Sequence, residues 1–192
     1  MDSYLIKPWS FFPKWMQLAE SRKWEKEIKE NLDWMQPKVK VYGQEYLVPR
    51  KTVFLGEEGI SYSYSGHIHK SIAWPNWFLP LLEKVSLFSN SNFNGCLINL
   101  YRNGNDRMGW HADNEKELDP SKSIASLSLG STRDFCLKHR KSMVKENIPL
   151  MDGDLLIMHP PCQEEWIHSI PARKRNLNLR INLTFRCYWK EE

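Results

Sequence analysis

The most regular alternation of apolar and polar residues in the chain runs from position 177 to position 186. The apolar positions are Leu177, Leu179, Ile181, Leu183 and Phe185. The positions between them are Asn178, Arg180, Asn182, Thr184 and Arg186. A period of two predicts a β-strand with its apolar side against a core. Its polar side has two interpretations: an ordinary solvated face, or the lining of a cavity in which the arginines hold an anion.

Two earlier segments show the spacing of amphipathic helices. Between Phe11 and Leu32 the apolar residues are Trp15, Leu18, Trp24, Ile28 and Leu32, separated by Lys and Glu. From Pro75 to about Ser89 they are Phe78, Leu81, Leu82, Val85 and Phe88. Residues 38–49, KVKVYGQEYLVP, predict two short strands joined around Tyr42, Gly43 and Gln44 as a hairpin.

Everything after Asn94 reads as short strands separated by turn residues. The segments are CLINLYR, IASLSLGS, RDFCLKHR, GDLLIMH, EWIHSIP and LNLRINLTFR. Many short strands with helices gathered before them predict an α+β fold built on a sandwich or barrel. A chain of 192 residues without repeats or linkers is expected to form one compact domain.

Composition narrows the class of protein only slightly. The 27 basic and 23 acidic residues give a net charge of +4, which permits nucleic-acid binding without demonstrating it. Four widely spaced cysteines and an N-terminal segment unlike a secretion signal favour reduced thiols and an intracellular protein. No apolar run approaches the roughly 20 residues that span a bilayer, so we expect no membrane association.

The candidate chemistry begins with the segment GWHADNE. His111 and Asp113 are two residues apart, so both side chains project to one side of an extended segment. A pair of this kind is common by chance and needs a third ligand. His168 is the best candidate because it lies on a later predicted strand, whereas the other four histidines are expected in turns or at the surface.

Two imidazoles and one carboxylate on one face of a metal are typical of non-haem Fe(II) oxygenases. A 2-oxoglutarate co-substrate would chelate the metal with its keto acid end, and its far carboxylate would need a fixed cation. Arg180, on the strand after His168, can supply this cation as a bidentate partner. Asn99 and Tyr101 also share one side of a strand, where they either bind the same dicarboxylate or form a polar edge-strand pair.

Four motifs in order carry a family resemblance. They are NxYxxG (Asn99, Tyr101, Gly104), GxHxD (Gly109, His111, Asp113), the later His168, and RxNxTFR (Arg180, Asn182, Thr184, Phe185, Arg186). The chain resembles the AlkB family of Fe(II)- and 2-oxoglutarate-dependent dioxygenases from about Pro49 onwards. It is most similar to the branch that repairs alkylated DNA, through PRKTVFLGEEGISYSYSG and SIASLSLGSTRDFCLKHR.

The resemblance implies an α+β fold, a double-stranded β-helix or jelly roll, in one domain over residues 1–192. Residues 1–94 would form N-terminal helices and a nucleotide-recognition lid, and residues 95–192 the catalytic core. It implies His111, Asp113 and His168 as Fe(II) ligands. It implies a 2-oxoglutarate site formed by Asn99, Tyr101, Arg180, Asn182, Thr184 and Arg186, with Arg180 on the distal carboxylate and Arg186 near the chelating end.

The implied reaction is oxidative N-demethylation of bases such as 1-methyladenine and 3-methylcytosine. Dioxygen and 2-oxoglutarate would be consumed, and succinate, carbon dioxide and formaldehyde released. Because these bases are cationic, Glu115 can attract them and Asn114 can bind their edge, although both could equally be solvated turn residues. The resemblance places Tyr62 and Tyr64 over a base flipped out of the stack, with Tyr64 opposite His111.

The hairpin matches the finger with which some family members fill the gap left by a flipped base. Its residues would be Val41, Tyr42 and Gly43, with Arg50 on nearby DNA backbone; the alternative is a plain edge hairpin. We expect a monomer acting on duplex and also single-stranded DNA, cytoplasmic in a bacterium and nuclear in a eukaryote. Two alternatives stay open: an RNA demethylase with the same iron centre, and a non-catalytic nucleic-acid-binding jelly roll.

Overall fold

The structure, a computed structural model, describes residues 7–41, 43–64 and 67–189. The helices are α1 (Leu18–Asn31), α2 (Leu79–Ser89), which follows a 3₁₀ turn at Asn76–Phe78, and the short α3 (Cys162–Glu165). The first strands are β1 (Trp9–Phe12), β2 (Lys38–Val41), β3 (Gln44–Leu47), β4 (Lys51–Gly56), β5 (Ser61–Tyr64), β6 (His67–Lys70) and β7 (Ile72–Ala73). The later strands are β8 (Gly95–Tyr101), β9 (Met108–His111), β10 (Ile124–Gly130), β11 (Arg133–His139), β12 (Lys145–Leu150), β13 (Leu155–Met158), β14 (Trp166–Ile170) and β15 (Arg180–Arg186).

Two sheets form the body of the molecule. The larger has seven strands in the order β1-β13-β10-β15-β8-β4-β7, and the smaller has four in the order β12-β11-β14-β9. Strands that are neighbours in a sheet come from distant parts of the sequence, as β15 between β10 and β8 shows. This is the jelly-roll arrangement that the motifs implied.

The middle of the larger sheet is covered on both faces. Every residue of β8, β10 and β15 is buried. On one face, Ile181 and Phe185 join a core with Trp24 of α1 and Phe78 just before α2. Strands buried on both sides lose all contact with water, so their polar residues need partners inside the protein.

The other face of the larger sheet meets the four-stranded sheet. A second apolar cluster joins Leu156 of β13 to Phe135 and Leu137 of β11 and to Trp166 of β14. This cluster fills only part of the space between the sheets. The polar side chains of β15 and β8 line the remainder, which is the candidate site.

Three expectations about elements need correction. The first helix begins at Leu18, because Trp9–Phe12 pairs with β13 as an edge strand of the larger sheet. The last strand begins at Arg180, three residues later than its alternation predicts. The division at residue 94 does not separate lid from core, since β1, β4 and β7 all belong to the larger sheet.

The second helix and the first hairpin form where their patterns predict them, since β2 pairs with β3. Phe78, Leu81 and Val85 of the second helical segment are buried as expected, whereas Phe88, near its end, is 45% exposed. A second small hairpin, β5 with β6, is also present. No helix in the described ranges is both long and apolar enough to cross a membrane.

Candidate active site

Three potential metal ligands converge between the two sheets. His111 on β9 lies directly opposite His168 on β14, and Asp113 follows β9 by two residues. His111 Nε2 is 3.6 Å from Asp113 Oδ1, and the two imidazole centroids are 4.3 Å apart. One donor atom from each residue lies within 4.8 Å of the others, so the three can hold one metal ion.

Neighbouring groups fix the orientation of each ligand. His111 Nδ1 donates to the Gly109 carbonyl at 2.9 Å, which leaves Nε2 directed at Asp113. Phe135 stacks on His168 at 5.0 Å, and the Asp113 backbone N–H donates to Gln163 Oε1 at 2.9 Å. Such supporting contacts keep a site preorganised before a metal arrives.

The charges at this end of the cavity are balanced. Arg186 Nη2 contacts Asp113 Oδ1 at 2.8 Å, and both side chains are buried. Burial opposes ionisation of Asp113, yet Arg186, His168 and His111 together hold its pKa well below the usual range. Burial, reinforced by His111, lowers the pKa of His168 to about 3. The carboxylate is therefore charged and His168 neutral at physiological pH, as metal coordination requires.

The polar side of β15 lines the cavity. Cross-strand pairing sets Arg180 opposite Tyr101 and Asn182 opposite Asn99 of β8. All four residues are buried, as are Thr184 and Arg186. Asn182 Nδ2 donates to Ser126 Oγ at 2.8 Å, and Thr184 Oγ1 donates to Asn182 Oδ1 at 3.1 Å. Of the two interpretations of this face, the structure therefore supports a cavity lining.

Arg180 is the unusual member of this set. The residue is only 1% exposed, and its guanidinium carbon lies 5.3 Å from the centroid of the Tyr101 ring. Nη2 donates to Ser128 Oγ at 2.9 Å, but Nε and Nη1 have no hydrogen-bond partner in the described part of the chain. Burial lowers the pKa of Arg180 to about 10. A buried cation with free donors is costly unless an anion binds to it.

The comparisons with known proteins agree with this geometry. Residues 9–186 match the model of the 2OG-Fe(II) oxygenase superfamily. The mouse DNA oxidative demethylase ALKBH2 is 36% identical over 179 residues, which cover 88% of this chain and 75% of the mouse protein. Human ALKBH2, which carries the same name, is 40% identical over 161 residues, which cover 78% of this chain and 60% of that protein.

Two further relatives are more distant. The human alpha-ketoglutarate-dependent dioxygenase alkB homolog 3 is 35% identical over 157 residues, covering 76% of this chain and 54% of that protein. The solved structure of OsALKBH1 matches with a TM-score of 0.64 at 18% identity, covering 95% of this chain and 99% of that chain. The chain belongs to the AlkB family of 2OG-Fe(II) oxygenases.

AlkB-family enzymes of this superfamily are dioxygenases that use Fe(II), 2-oxoglutarate and dioxygen, and the residues present fit this chemistry. The donor set of two imidazoles and one carboxylate suits Fe(II) and leaves coordination positions on its far side. The free donors of Arg180 suit the distal carboxylate of a dicarboxylic acid. Both requirements are met in one cavity, which His111, Asp113, His168, Arg180 and Arg186 line together.

Arg50 was expected to contact DNA backbone at the surface, but it lies inside the protein. It is 4% exposed, and its Nε donates to Asn99 Oδ1 at 2.8 Å. A side chain enclosed in this way cannot reach a phosphate on the surface. It instead supports Asn99, one of the residues that line the cavity.

Two of the expected base-binding residues, Asn114 and Glu115, line a second cavity. This cavity, of about 380 Å³, is lined by Asn114 and Glu115 and reaches Asp113 and Arg186. Burial raises the pKa of Glu115, whose Oε2 is enclosed without a hydrogen-bond partner in the described chain. Asn114 is exposed at the rim. Both residues therefore line a cavity that also reaches the metal cluster.

Among the expected tyrosine and finger residues, Tyr62 and Gly43 lie within the described ranges. Tyr62 is 5% exposed, and His69 stacks on its ring at 5.1 Å, so its ring is covered rather than open to a base. Gly43 has φ +82°, the left-handed conformation that a tight hairpin turn needs. Tyr42 lies outside the described residues, as do the side chains of Val41 and Tyr64.

Several supporting residues were not identified from the sequence. They are Gln163 behind Asp113, Ser128 beside Arg180, Tyr188 beside Arg186, and Arg133 beneath Tyr101. Tyr188 is buried against Phe54, and Arg186 Nη1 donates weakly to its hydroxyl at 3.5 Å. Only Ser128 carried a usable signal, because Ser126 and Ser128 alternate with leucines on a predicted strand.

Gly104 explains the last position of the NxYxxG motif. A Cβ atom built on it would lie 1.7 Å from the Arg173 carbonyl oxygen, inside any allowed contact. Backbone hydrogen bonds of 2.7 Å join Gly104 to Asn176 and to Arg173. The glycine therefore lets the loop before β15 pack directly against the end of β8.

Proposed function

We propose that this protein removes methyl groups from alkylated bases of DNA by Fe(II)- and 2-oxoglutarate-dependent oxidation. The similar proteins named DNA oxidative demethylase support the substrate class. The observation that carries the proposal is the buried, incompletely bonded Arg180 in the same cavity as the His111, Asp113 and His168 cluster.

His111, Asp113 and His168 would hold the Fe(II) ion, and Arg180 the distal carboxylate of 2-oxoglutarate. Bound Fe(II), with 2-oxoglutarate and dioxygen, supplies the oxidation that hydroxylates the methyl group. Asn99, Tyr101, Asn182 and Thr184 would line the co-substrate and exclude water. Arg186 keeps Asp113 ionised and adds positive charge near the chelating end.

The substrate side would be set by charge. A base methylated at a ring nitrogen is cationic, so it would favour the ionised form of the partly buried Glu115. Asn114 at the rim can hydrogen-bond the edge of the base. The target must be unpaired or flipped out, because the methyl group is inaccessible inside a duplex.

We propose further that the enzyme acts as a monomer. We also propose action on both duplex and single-stranded DNA, in the nucleus of a eukaryote or the cytoplasm of a bacterium.

Mass analysis of methylated oligonucleotides tests the proposal. With iron, ascorbate and 2-oxoglutarate, a DNA strand containing one 1-methyladenine should lose its methyl group and release one formaldehyde. The His111→Ala protein is the control and should leave the strand unchanged. Faster turnover of RNA of the same sequence would replace DNA with RNA as substrate. No turnover of either, with Fe(II) and 2-oxoglutarate bound, would leave only a binding protein.

A further inference from the structure

Trp110 lies beside the metal cluster but faces away from it. It directly precedes His111, and its side chain is 47% exposed. It belongs to none of the buried apolar clusters of the described residues. A single exposed aromatic residue is ordinary in itself. Trp110 differs from other exposed apolar residues because a β-bulge and two lysines lie next to it.

A β-bulge directs Trp110 outwards. In a regular strand, Met108 and Trp110 would share one face. Met108 lines the catalytic cavity with His111, whereas Trp110 is on the outer surface. The pairing of β9 with β14 shifts register between His168 and Ile170, which is where the alternation breaks. Bulges commonly redirect a side chain next to an active site.

A pair of lysines lies on the strands next to the exposed indole, one of them close to its ring. Lys138 Nζ lies 5.9 Å from the centroid of the Trp110 ring. Lys138 also pairs directly across the strands with Lys145, and neither forms an ion pair within the described residues. The acidic neighbours on these strands are already paired, Asp134 with Arg173 and Glu146 with Lys7. Two like charges opposite each other are unfavourable unless an anion lies near them.

We propose that Trp110, Lys138 and Lys145 form a nucleic-acid contact on the outer face of the four-stranded sheet. The indole stacks on an unpaired base close to the nucleotide in the catalytic cavity, and the two ammonium groups bind the adjoining phosphates. Aromatic stacking accepts any base, while lysines follow the backbone. This inference rests on the proposed function for the class of ligand, a polynucleotide.

Binding of an unmethylated, fluorescently labelled single strand tests the stacking contact without requiring turnover. Trp110→Ala should weaken binding at least about 5-fold, as expected for the loss of one base stack. Trp110→Phe should retain most of the affinity. Leu87→Ala, which trims another exposed apolar side chain on α2, is the matched control and should bind normally. Equal affinity of the Trp110→Ala and wild-type proteins would overturn the stacking contact.

An abasic nucleotide locates the contact. On a labelled strand with one 1-methyladenine, kept anaerobic so that no turnover occurs, removal of the base that Trp110 contacts beside the lesion should lower wild-type affinity. The Trp110→Ala protein should show no further loss at that position. A fall of equal size in both proteins at every position would contradict stacking by Trp110. Anaerobic Fe(II) affinity is measured for each variant. If Trp110→Ala loses iron as well as DNA, the residue positions His111 and the proposal fails.

Salt dependence tests the lysines. Replacing both Lys138 and Lys145 with Gln should lower the slope of log affinity against log salt by about 1.4 on single strands, the loss of two phosphate contacts. An unchanged slope would show that neither lysine contacts phosphate. Because these readouts need no demethylation, they can succeed or fail independently of the mass analysis of the methylated oligonucleotide.

Discussion

Arg180 and Arg186 lie six residues apart on the same face of β15, and both are almost completely buried. Arg186 is paired at 2.8 Å with Asp113, which with Tyr188 and Glu115 raises its pKa despite burial. Arg180 donates to the neutral Ser128 hydroxyl and forms no ion pair within the described residues, and burial lowers its pKa to about 10. One end of the cavity is thus internally neutralised, whereas the other holds a buried cation that faces no carboxylate of the described residues.

This contrast separates the roles of two chemically identical side chains. Arg186 stabilises the charged form of a metal ligand, so its contribution exists in the protein alone. Arg180 costs stability until a carboxylate binds, because a buried charge without a partner is unfavourable. Variants at the two ends should therefore differ in stability as well as in activity.

The largest effect should follow removal of Asp113. Asp113→Ala should abolish Fe(II) binding and formaldehyde release. It should also destabilise the metal-free protein by about 3–5 kcal/mol in urea unfolding, because Arg186 is left buried and uncompensated. A second change, Arg186→Met, should recover part of that stability but no activity. Unchanged stability of Asp113→Ala would contradict a neutralised metal end.

Arg180→Met should weaken co-substrate binding without lowering the stability of the metal-free protein. Affinity for 2-oxoglutarate should fall by at least about 30-fold, as expected for a buried charge-assisted contact. The metal-free protein should be as stable as the wild type or more so, because an unpaired buried cation is gone. Calorimetric titration and urea unfolding measure the two quantities. A loss of several kcal/mol in stability would show that Arg180 has an internal partner.

Acid should weaken the metal-free protein through His168. Its pKa is lowered to about 3 in the folded state, so between the ordinary value of about 6.5 and about 3 only the unfolded chain binds this proton. Stability should therefore fall as pH drops through that window, by up to about 1.4 kcal/mol per pH unit. Asp113, with a lowered pKa, adds to the loss only below about pH 4. His168→Gln should remove the slope between pH 6 and 4; an unchanged slope would assign it to another group.

The smallest effect should come from Gln163→Leu. Loss of the hydrogen bond to the Asp113 backbone should weaken Fe(II) affinity by about 10-fold, the lower end for an outer contact of a metal ligand. Affinity for 2-oxoglutarate measured at saturating metal should change little. Gln163→Glu, which retains an acceptor for the same N–H, should keep near-normal iron affinity. An equal loss of Fe(II) affinity in both variants would show that the hydrogen bond does not determine iron binding.

The sequence predicted the residues that alternate along strands better than those that approach from loops. The period of two in β15 and β8 identified Arg180, Asn99 and Tyr101, because strand geometry converts spacing directly into a shared face. Gln163 comes from a short helix, and nothing local shows that its amide reaches Asp113 fifty positions away. Long-range pairing of this kind depends on topology, which spacing does not encode.

Long-range strand pairing also explains two places where the structure differs from the sequence prediction. The segment Trp9–Phe12 has too few residues to reveal a period. It is a strand because it pairs with β13 at the edge of the larger sheet. Arg50 follows a hairpin, so the sequence predicted it at the surface. It directly precedes β4, which belongs to the larger sheet, and its side chain is therefore buried against Asn99. The fold class and the metal cluster were predictable, whereas the bounds of the lid were not.

The most direct measurement compares 2-oxoglutarate with a 2-oxo acid of similar length that lacks the distal carboxylate. Both are titrated anaerobically into Fe(II)-loaded wild-type and Arg180→Met proteins. The wild type should bind 2-oxoglutarate at least about 30-fold more tightly than the monocarboxylate, and the variant should bind the two almost equally. Equal affinities in the wild type, or undiminished discrimination in the variant, would contradict the assignment of Arg180 and with it the proposed reaction.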